Sequence, residues 1–207
     1  GFVMTYSTLA SIVKYPFASS LAGSKGKFGF FTSEQPTYEK IADEMGIIRL
    51  SADGEPACYA RHPLVYLVEA ADDICYEIMD IEDSHKLKIL SFDETTDLLL
   101  GFFDSIGQQN IHNRIATEQL TDDNEQIVYM RACVISKLEQ ECVRVFIENE
   151  EKILSGEFQG SLIEHISDIP RQAYERCAKM SKQKIYCSKP VLDVELAGYK
   201  IMETLME

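Results

Sequence analysis

The chain has 207 residues, of which 45% are apolar and 26% are charged, with only 11 glycines and 6 prolines. This composition is typical of an ordinary globular protein and excludes a disordered or collagen-like chain. The net charge of −14 argues against a general nucleic-acid coat, because duplex binding needs many cations that replace phosphate counterions.

The first third of the chain predicts two helices with a loop between them. The segment "FVMTYSTLASIVKY" has helical periodicity and ends at Pro16, because proline disfavours helical geometry in the residue before it. The Gly- and Ser-rich segment "FASSLAGSKGKFGFF" predicts a loop. A short helix, "QPTYEKIADEMG", follows, with Pro36 in its first turn and Gly46 as its stop signal. We expect at most one very short strand, near residues 47–50.

The rest of the chain is predicted to be almost wholly helical. The patterns indicate a helix from Pro63 to about Leu87, a short one that starts near an Asp93 cap, and a long one from Asp122 or Asp123 to Gly156. Two further helices are predicted at about residues 170–183 and 192–206. The predicted fold class is therefore all-α, a multi-helix bundle.

The cysteines do not form a metal or disulfide pattern. None belongs to a CxxC pair, and most lie at apolar positions of helical patterns, so we predict buried free thiols typical of a reducing compartment. The six are Cys58, Cys75, Cys133, Cys142, Cys177 and Cys187.

The helix from Pro63 carries an acidic stripe opposite a wide apolar arc. Five polar side chains lie within about 80° on a helical wheel: Glu69, Asp72, Tyr76, Asp80 and Asp83. The arc is predicted to be buried; it comprises Leu64, Leu67, Val68, Ala71, Ile74, Cys75, Ile78, Met79 and Ile81. The stripe is either a solvated face or a site that a metal ion and a hydroxylated ligand neutralise, because hard divalent cations favour carboxylate oxygens.

A small basic island opens this acidic chain. Residues 1–33 contain Lys14, Lys25 and Lys27 and no acidic residue. Such an island suits a small anion better than a polymer.

Four ordered motifs resemble one enzyme family. The segment "YLVEAADDICYEIMDIED" resembles the signature of the deoxynucleoside triphosphate triphosphohydrolases, the dGTPase-like branch of the HD-domain metal phosphohydrolases. "MTYSTLASIVKYP", "KFGFFTSE" and "RHPL" resemble the same family in the same order, so the match spans at least residues 3–83. The resemblance implies an HD-domain-like bundle and one α-helical unit, residues 1–207, from the later part of the family's chain. Within it, residues 1–90 would be the active-site half and residues 91–207 a helical C-terminal part.

The resemblance also implies roles for individual residues. Asp72 matches a metal ligand, and Tyr76 and Asp80 match residues that contact the deoxyribose, at its 3′-hydroxyl. Three residues in the first two motifs match positions that grip the triphosphate: Lys14, Tyr15 and Lys27. Asp73 and Glu69 are candidates for residues that hold these side chains in position without contacting the ligand themselves. Arg131 could face phosphate, but its loose local match favours a structural role.

The chain departs from the family pattern at the metal ligands. No His directly precedes an Asp, and none of the four histidines resembles the missing ligands: His62, His85, His112 and His165. We interpret His62 as a helix cap. Catalytic divalent metals generally need three or more protein ligands. We therefore expect an incomplete site for Mg, Mn or another transition metal, and no activity from this chain alone.

Two functions follow as expectations. The intact protein would hydrolyse deoxynucleoside triphosphates, dGTP-like in kind, to deoxynucleoside and inorganic triphosphate. The alternative is a non-catalytic nucleotide-sensing or oligomerisation module of a degenerate HD-domain protein. We expect a homo-oligomer, with nucleic acid as a possible effector but not the main substrate. No apolar stretch approaches about 20 residues and no signal-peptide pattern opens the chain, so we expect a cytoplasmic protein without a membrane partner.

Overall fold

A computed structural model describes residues 3–24 and 26–206, so Lys25 lies outside the described residues. Within these ranges the fold is all-α, as predicted, and the expected strand near residues 47–50 is reduced to an isolated bridge between Arg49 and Tyr59. The helices are α1 Tyr6–Ser11, α2 Gln35–Met45, α3 Pro63–Lys86, α4 Phe92–Leu100, α5 Ser105–Thr117, α6 Asp123–Glu148, α7 Glu150–Leu154, α8 Asp168–Met180 and α9 Lys189–Met206. No helix in the described ranges is both long and apolar enough to cross a membrane.

Most helix ends follow the signals in the sequence. Helix α2 has Pro36 in its first turn and stops at Gly46, whose φ of 66° is left-handed and favours glycine. Asp122 caps α6, because its Oδ1 accepts hydrogen bonds from the backbone amides of Asn124 and Glu125. The predicted Asp93 cap of α4 is wrong by two residues: Ser91 caps this helix through a reciprocal capping box with Glu94.

Helix α5 is not among the predicted elements. The helix predicted from Asp93 instead ends at Leu100, and a second helix begins after Asp104, whose Oδ1 accepts the Gly107 amide at 2.8 Å. Only Ile111 is buried on α5. A helix with so narrow a buried face has little apolar periodicity, and this is why the pattern did not predict it.

The chain divides into two compact units. Unit 1 comprises Gly1–Asp72 and Cys142–His165, and unit 2 comprises Asp73–Glu141 and Ile166–Glu207. Helices α3 and α6 therefore contribute residues to both units. The single domain expected from the sequence, with its division near residue 90, stays a prediction.

Unit 1 has an aromatic core that fixes the loop after α1. The rings of Phe30 and Tyr38 stack with their centroids 4.8 Å apart, and the ring of Tyr59 meets Tyr38 edge-on at 5.4 Å. Val13 packs against this core. Burying each large side chain stabilises the fold by about 1.5–3 kcal/mol. The core therefore holds the two ends of the glycine-rich segment in place.

Unit 2 combines an aliphatic core with a buried ion pair. Its fully buried side chains include Ile78, Ile81, Leu90, Leu98, Leu99, Phe102, Ile127, Met130 and Leu138. The buried carboxylate of Glu82 lies 2.6 Å from Arg131 Nη1 and 2.5 Å from Lys86 Nζ. Arg131 thus neutralises a buried charge, which is the structural role predicted for it.

The predicted buried arc of α3 is wrong in part. Ile74, Ile78 and Ile81 are buried. The other predicted members are exposed: Leu64, Leu67, Val68, Ala71, Cys75 and Met79. The polar residue Glu69 is buried in their place, because Lys14 and Arg61 bind it. Helical periodicity fixes the angle between side chains, but the neighbouring segments decide which arc they cover.

The cysteines follow the prediction only in part. All six are free. Only Cys142 and Cys177 are buried, whereas Cys75 and Cys187 are exposed. The prediction of buried thiols rested on the same apolar periodicity, which does not distinguish a covered face from an uncovered one.

We expect Ile78→Ala to lower the free energy of unfolding by about 2–5 kcal/mol, because it empties space in a packed core. Leu67→Ala removes the same number of carbons from a side chain that is 37% exposed, and should cost less than about 1 kcal/mol. Urea unfolding of both variants measures the difference. Equal losses would show that the arc predicted from the sequence is the buried one.

Candidate functional site

Three predicted triphosphate-binding residues come together in unit 1. The amino group of Lys14 lies 6.0 Å and that of Lys27 lies 5.6 Å from the centroid of the Tyr15 ring. Lys14 and Tyr15 are half-buried, whereas Lys27 is exposed. Cation–π attraction at such distances favours keeping both cations near the ring. The structure therefore gathers two positive charges at one phenol.

A glycine lets the two motifs that carry these lysines approach each other. The Gly29 amide donates to the Phe17 carbonyl at 3.1 Å. A Cβ atom on Gly29 would lie 2.2 Å from the Tyr15 carbonyl oxygen and 2.7 Å from Cγ1 of Val13. No side chain fits there without moving the backbone. The "KFGFF" segment thus lies against the "VKYP" segment because residue 29 has no side chain.

A buried carboxylate ties this cluster to α3. The side chain of Glu69 is only 7% exposed, and its Oε1 lies 3.0 Å from Lys14 Nζ while its Oε2 lies 2.9 Å from Arg61 Nη1. We call Lys14, Arg61 and Glu69 the Glu69 triad. Two cations face one carboxylate, so the triad keeps one net positive charge.

Arg61 is held from two further sides. Its Nη1 also lies 3.4 Å from the Gly160 carbonyl oxygen, and its guanidinium lies 5.5 Å from the centroid of the Tyr66 ring. The Tyr66 hydroxyl donates to the Phe158 carbonyl at 3.0 Å. Arg61 is not among the site residues predicted from the sequence. The available signal was a cation that opens the "RHPL" motif just before α3, eight residues ahead of a glutamate on that helix.

A cavity of about 250 Å³ opens beside the triad, lined by Lys14, Tyr15, Arg61, Tyr66 and Gly160 among others. Sites for whole small molecules usually occupy about 300–1,000 Å³. The cavity therefore suits part of a ligand, and the two cations and three phenols that line it suit an anionic group.

The remaining predicted site residues lie along α3. Asp72 and Tyr76 are exposed, Tyr76 to 69%. Asp80 is half-buried, and its Oδ2 accepts a hydrogen bond from the Tyr186 hydroxyl at 2.6 Å. Asp73 is also half-buried, and its backbone carbonyl accepts the Tyr174 hydroxyl at 3.0 Å. Asp80 thus has a fixed orientation, which the sequence did not predict because Tyr186 lies more than one hundred residues away.

Tyr186 follows a π-helical turn, Ser181–Ile185, at the end of α8. Burial, together with the hydrogen bond to Asp80, raises the pKa of Tyr186, so its hydroxyl keeps the proton that it donates. In the same turn, Ser181 Oγ donates to Glu77 Oε1 at 2.8 Å. Burial raises the pKa of Glu77, although the Ser181 hydrogen bond opposes that rise. Turns of this kind frequently occur at functional sites.

The chain was compared with known proteins. No protein-family model matches it. A "deoxyguanosinetriphosphate triphosphohydrolase-like protein" of Pseudomonas aeruginosa is 31% identical to it over 210 residues, and one of Synechocystis is 32% identical over 215 residues. Each match covers 100% of this chain and 46% of the relative. A "deoxyguanosinetriphosphate triphosphohydrolase" of Klebsiella pneumoniae is 24% identical over 99% of the chain and 42% of the relative.

Over its whole length the chain is similar to proteins named as dGTP triphosphohydrolases or as dGTP triphosphohydrolase-like. This confirms the resemblance that the four motifs predicted. The chain spans less than half of the length of the curated relatives it matches.

The described residues do not fit a metal ion by themselves. No group of three or more His, Cys, Asp or Glu side chains that could hold one occurs in residues 3–24 and 26–206. Asp72 offers a single exposed carboxylate. His62 caps α3, as predicted, because its Nδ1 accepts the Leu64 amide at 3.2 Å, and burial lowers its pKa, which keeps this nitrogen unprotonated. The metal that the dGTPase resemblance implies would therefore need ligands beyond the described residues.

We expect Gly29→Ala to lower the free energy of unfolding by about 2 kcal/mol or more, because the new methyl group overlaps the Tyr15 backbone. Gly23→Ala is the matched control, since a Cβ on this glycine of the same loop meets nothing within 4 Å. Urea unfolding followed by circular dichroism measures both. Similar stabilities of the two variants would contradict the close approach of the two motifs.

Proposed function

We propose that this chain binds the triphosphate and deoxyribose of a deoxynucleoside triphosphate. The full-length protein would hydrolyse that substrate, dGTP-like in kind, to deoxynucleoside and inorganic triphosphate. The observation that carries the proposal is the cluster of Lys14, Tyr15 and Lys27 with the buried Glu69, in a chain related to triphosphohydrolases.

The electrostatics support a triphosphate ligand. A triphosphate carries several negative charges, whereas the protein as a whole carries −14, so binding requires a local excess of cations. Lys14, Lys27 and Arg61 supply cations in unit 1, of which Glu69 neutralises one. Charge-assisted hydrogen bonds from lysine and arginine to phosphate oxygens are about twice as strong as neutral ones.

For the sugar we propose Tyr76 and Asp80. An ionised carboxylate offers about four acceptor sites, and Tyr186 occupies one of those of Asp80. The remaining sites suit a hydroxyl donor such as the 3′-hydroxyl of a deoxyribose. The exposed phenol of Tyr76, one helical turn earlier, is accessible to the same kind of ligand.

The metal and the partners remain proposals. Asp72 would supply one carboxylate to a divalent metal, Mg, Mn or another transition metal, with the other ligands outside this chain. We also propose a homo-oligomer in the cytoplasm, with nucleic acid as an effector at most. Deoxynucleotide binding without turnover would favour the alternative function, a nucleotide-sensing or oligomerisation module.

The activity test uses the full-length protein with dGTP and Mn²⁺, and measures deoxyguanosine and inorganic triphosphate by ion chromatography. We expect equal amounts of the two products. Lys14→Gln should lower kcat/KM by about tenfold or more, because a charge-assisted contact to phosphate is lost. Lys200→Gln, which makes the same charge change on the exposed helix α9, should have little effect. No triphosphate from folded, metal-loaded protein would refute the enzymatic proposal.

The sugar assignment is tested by the binding of three ligands, dGTP, inorganic triphosphate and Mn²⁺, to the full-length protein. Asp80→Ala should weaken dGTP binding by about fivefold or more, because it removes the acceptor proposed for the sugar hydroxyl. It should leave the binding of inorganic triphosphate and of Mn²⁺ unchanged. Asp83→Ala, three residues further along α3, is the control. Loss of Mn²⁺ binding in Asp80→Ala would show that the roles assigned to Asp72 and Asp80 are wrong.

A further inference from the structure

The burial of the Glu69 triad is asymmetric. The Glu69 side chain is 7% exposed, whereas those of Lys14 and Arg61 are 38% and 24% exposed. A buried carboxylate is costly unless cations pair with it, so Glu69 must keep both partners. Breaking the ion pairs would cost the two cations less free energy than it costs Glu69, because water can solvate the cations. Glu69 therefore acts as the fixed member of the triad and the cations are placed by it.

The two oxygens of Glu69 are assigned to different partners. Oε1 binds Lys14 and Oε2 binds Arg61. Arg61 is in turn fixed by the Gly160 carbonyl and the Tyr66 ring. Rotation of the carboxylate would break one of the two pairs, so the position of the Lys14 amino group is determined by contacts that extend to residue 160.

Lysine side chains have many rotamers, so the binding of an anion to a mobile lysine includes the free-energy cost of ordering that side chain. We infer that Glu69 is a positioning residue that orders Lys14 in advance and thereby raises the affinity for triphosphate. This inference rests on the proposed role of Lys14 as a phosphate ligand. It goes beyond that role, because it assigns a favourable effect on anion binding to a negative charge.

The charge of Glu69 and its positioning of Lys14 predict opposite changes in triphosphate affinity when Glu69 is removed. By charge alone, removing Glu69 would tighten the binding of an anion, by about threefold at physiological salt, where screening is strong. By positioning, removing Glu69 would weaken it by more than this, because a well-placed charge-assisted hydrogen bond contributes about tenfold or more. The sign of the change therefore distinguishes the two effects.

The test measures the binding of inorganic triphosphate to the full chain by calorimetry at physiological salt. We expect Glu69→Gln to weaken binding by roughly three- to tenfold. Glu203→Gln is the charge-matched control, since Glu203 lies on the exposed helix α9 and contacts Lys200. It should change affinity by less than about twofold. If Lys14→Gln weakens triphosphate binding but Glu69→Gln leaves it unchanged or makes it tighter, the positioning role of Glu69 is wrong. The phosphate role of Lys14 would still stand.

A second comparison separates positioning from a general structural effect. In the Lys14→Gln background, Glu69→Gln should cause no further loss, because Glu69 acts through Lys14, whereas the Gly160 carbonyl and the Tyr66 ring also hold Arg61 in place. A further loss in that background would overturn the inference. If Lys14→Gln itself leaves binding unchanged, the phosphate role of Lys14 fails and the inference fails with it.

Glu69→Asp serves where the glutamine variant does not fold. Aspartate keeps the charge but is one methylene shorter, so its carboxylate cannot reach both cations in their present positions. We expect weaker triphosphate binding than in the wild type, with a thermal melting profile that shows a folded protein. Wild-type affinity in this variant would show that the charge, and not the position, of residue 69 matters.

Discussion

The pairing of one buried carboxylate with two cations is the constraint on which the proposed triphosphate site depends. Glu69 lies on α3, Lys14 follows α1, and Arg61 precedes α3. Burying a charged oxygen without a cation is costly, so this cost holds the segments together: separating Lys14 or Arg61 would leave one buried oxygen of Glu69 without its cation. Arg61 extends the same constraint to the Gly160 carbonyl. A single buried charge thus fixes the walls of the cavity in which Lys14 and Tyr15 lie.

A steric constraint complements this electrostatic one. Gly29 allows its segment to lie against the Tyr15 backbone, and the stacked rings of Phe30 and Tyr38 anchor the following residues. Lys27 is two residues before Gly29, so the packing of this segment brings it to the Tyr15 ring. Among the described contacts, no carboxylate pairs with its amino group. Aromatic packing and the missing side chain of residue 29 therefore position an exposed cation.

The sequence predicted local features of the fold and the site better than long-range ones. Helices α2 and α3, the start of α6, and the caps by Asp122 and His62 follow from signals within a few residues, whereas the long helix predicted to reach Gly156 ends at Glu148 and is followed by α7. The buried arc of α3 could not be predicted, because helical periodicity does not say which neighbour covers which side.

The same limit applies to Arg61 and Tyr186. Each is defined as part of a site by its carboxylate partner, and the Tyr186 partner lies more than one hundred residues away. The helical pattern from Pro63 did predict that Asp72, Tyr76 and Asp80 share one helix. It contained no information on what holds each of them.

The carboxylates along α3 differ because of their neighbours and not because of their chemistry. Glu69 forms ion pairs with two cations, Lys14 and Arg61, and these neutralise its charge. Asp80 is held by the neutral hydroxyl of Tyr186, whose raised pKa keeps the proton between them on the phenol. This hydrogen bond fixes the orientation of Asp80, and the acceptor sites that remain on its carboxylate suit a hydrogen bond from a ligand's hydroxyl. Asp72 is exposed, which suits a carboxylate that binds a cation supplied with further ligands. The carboxylate group thereby occurs in three different environments on a single helix, and the residues that pack against each carboxylate determine its environment.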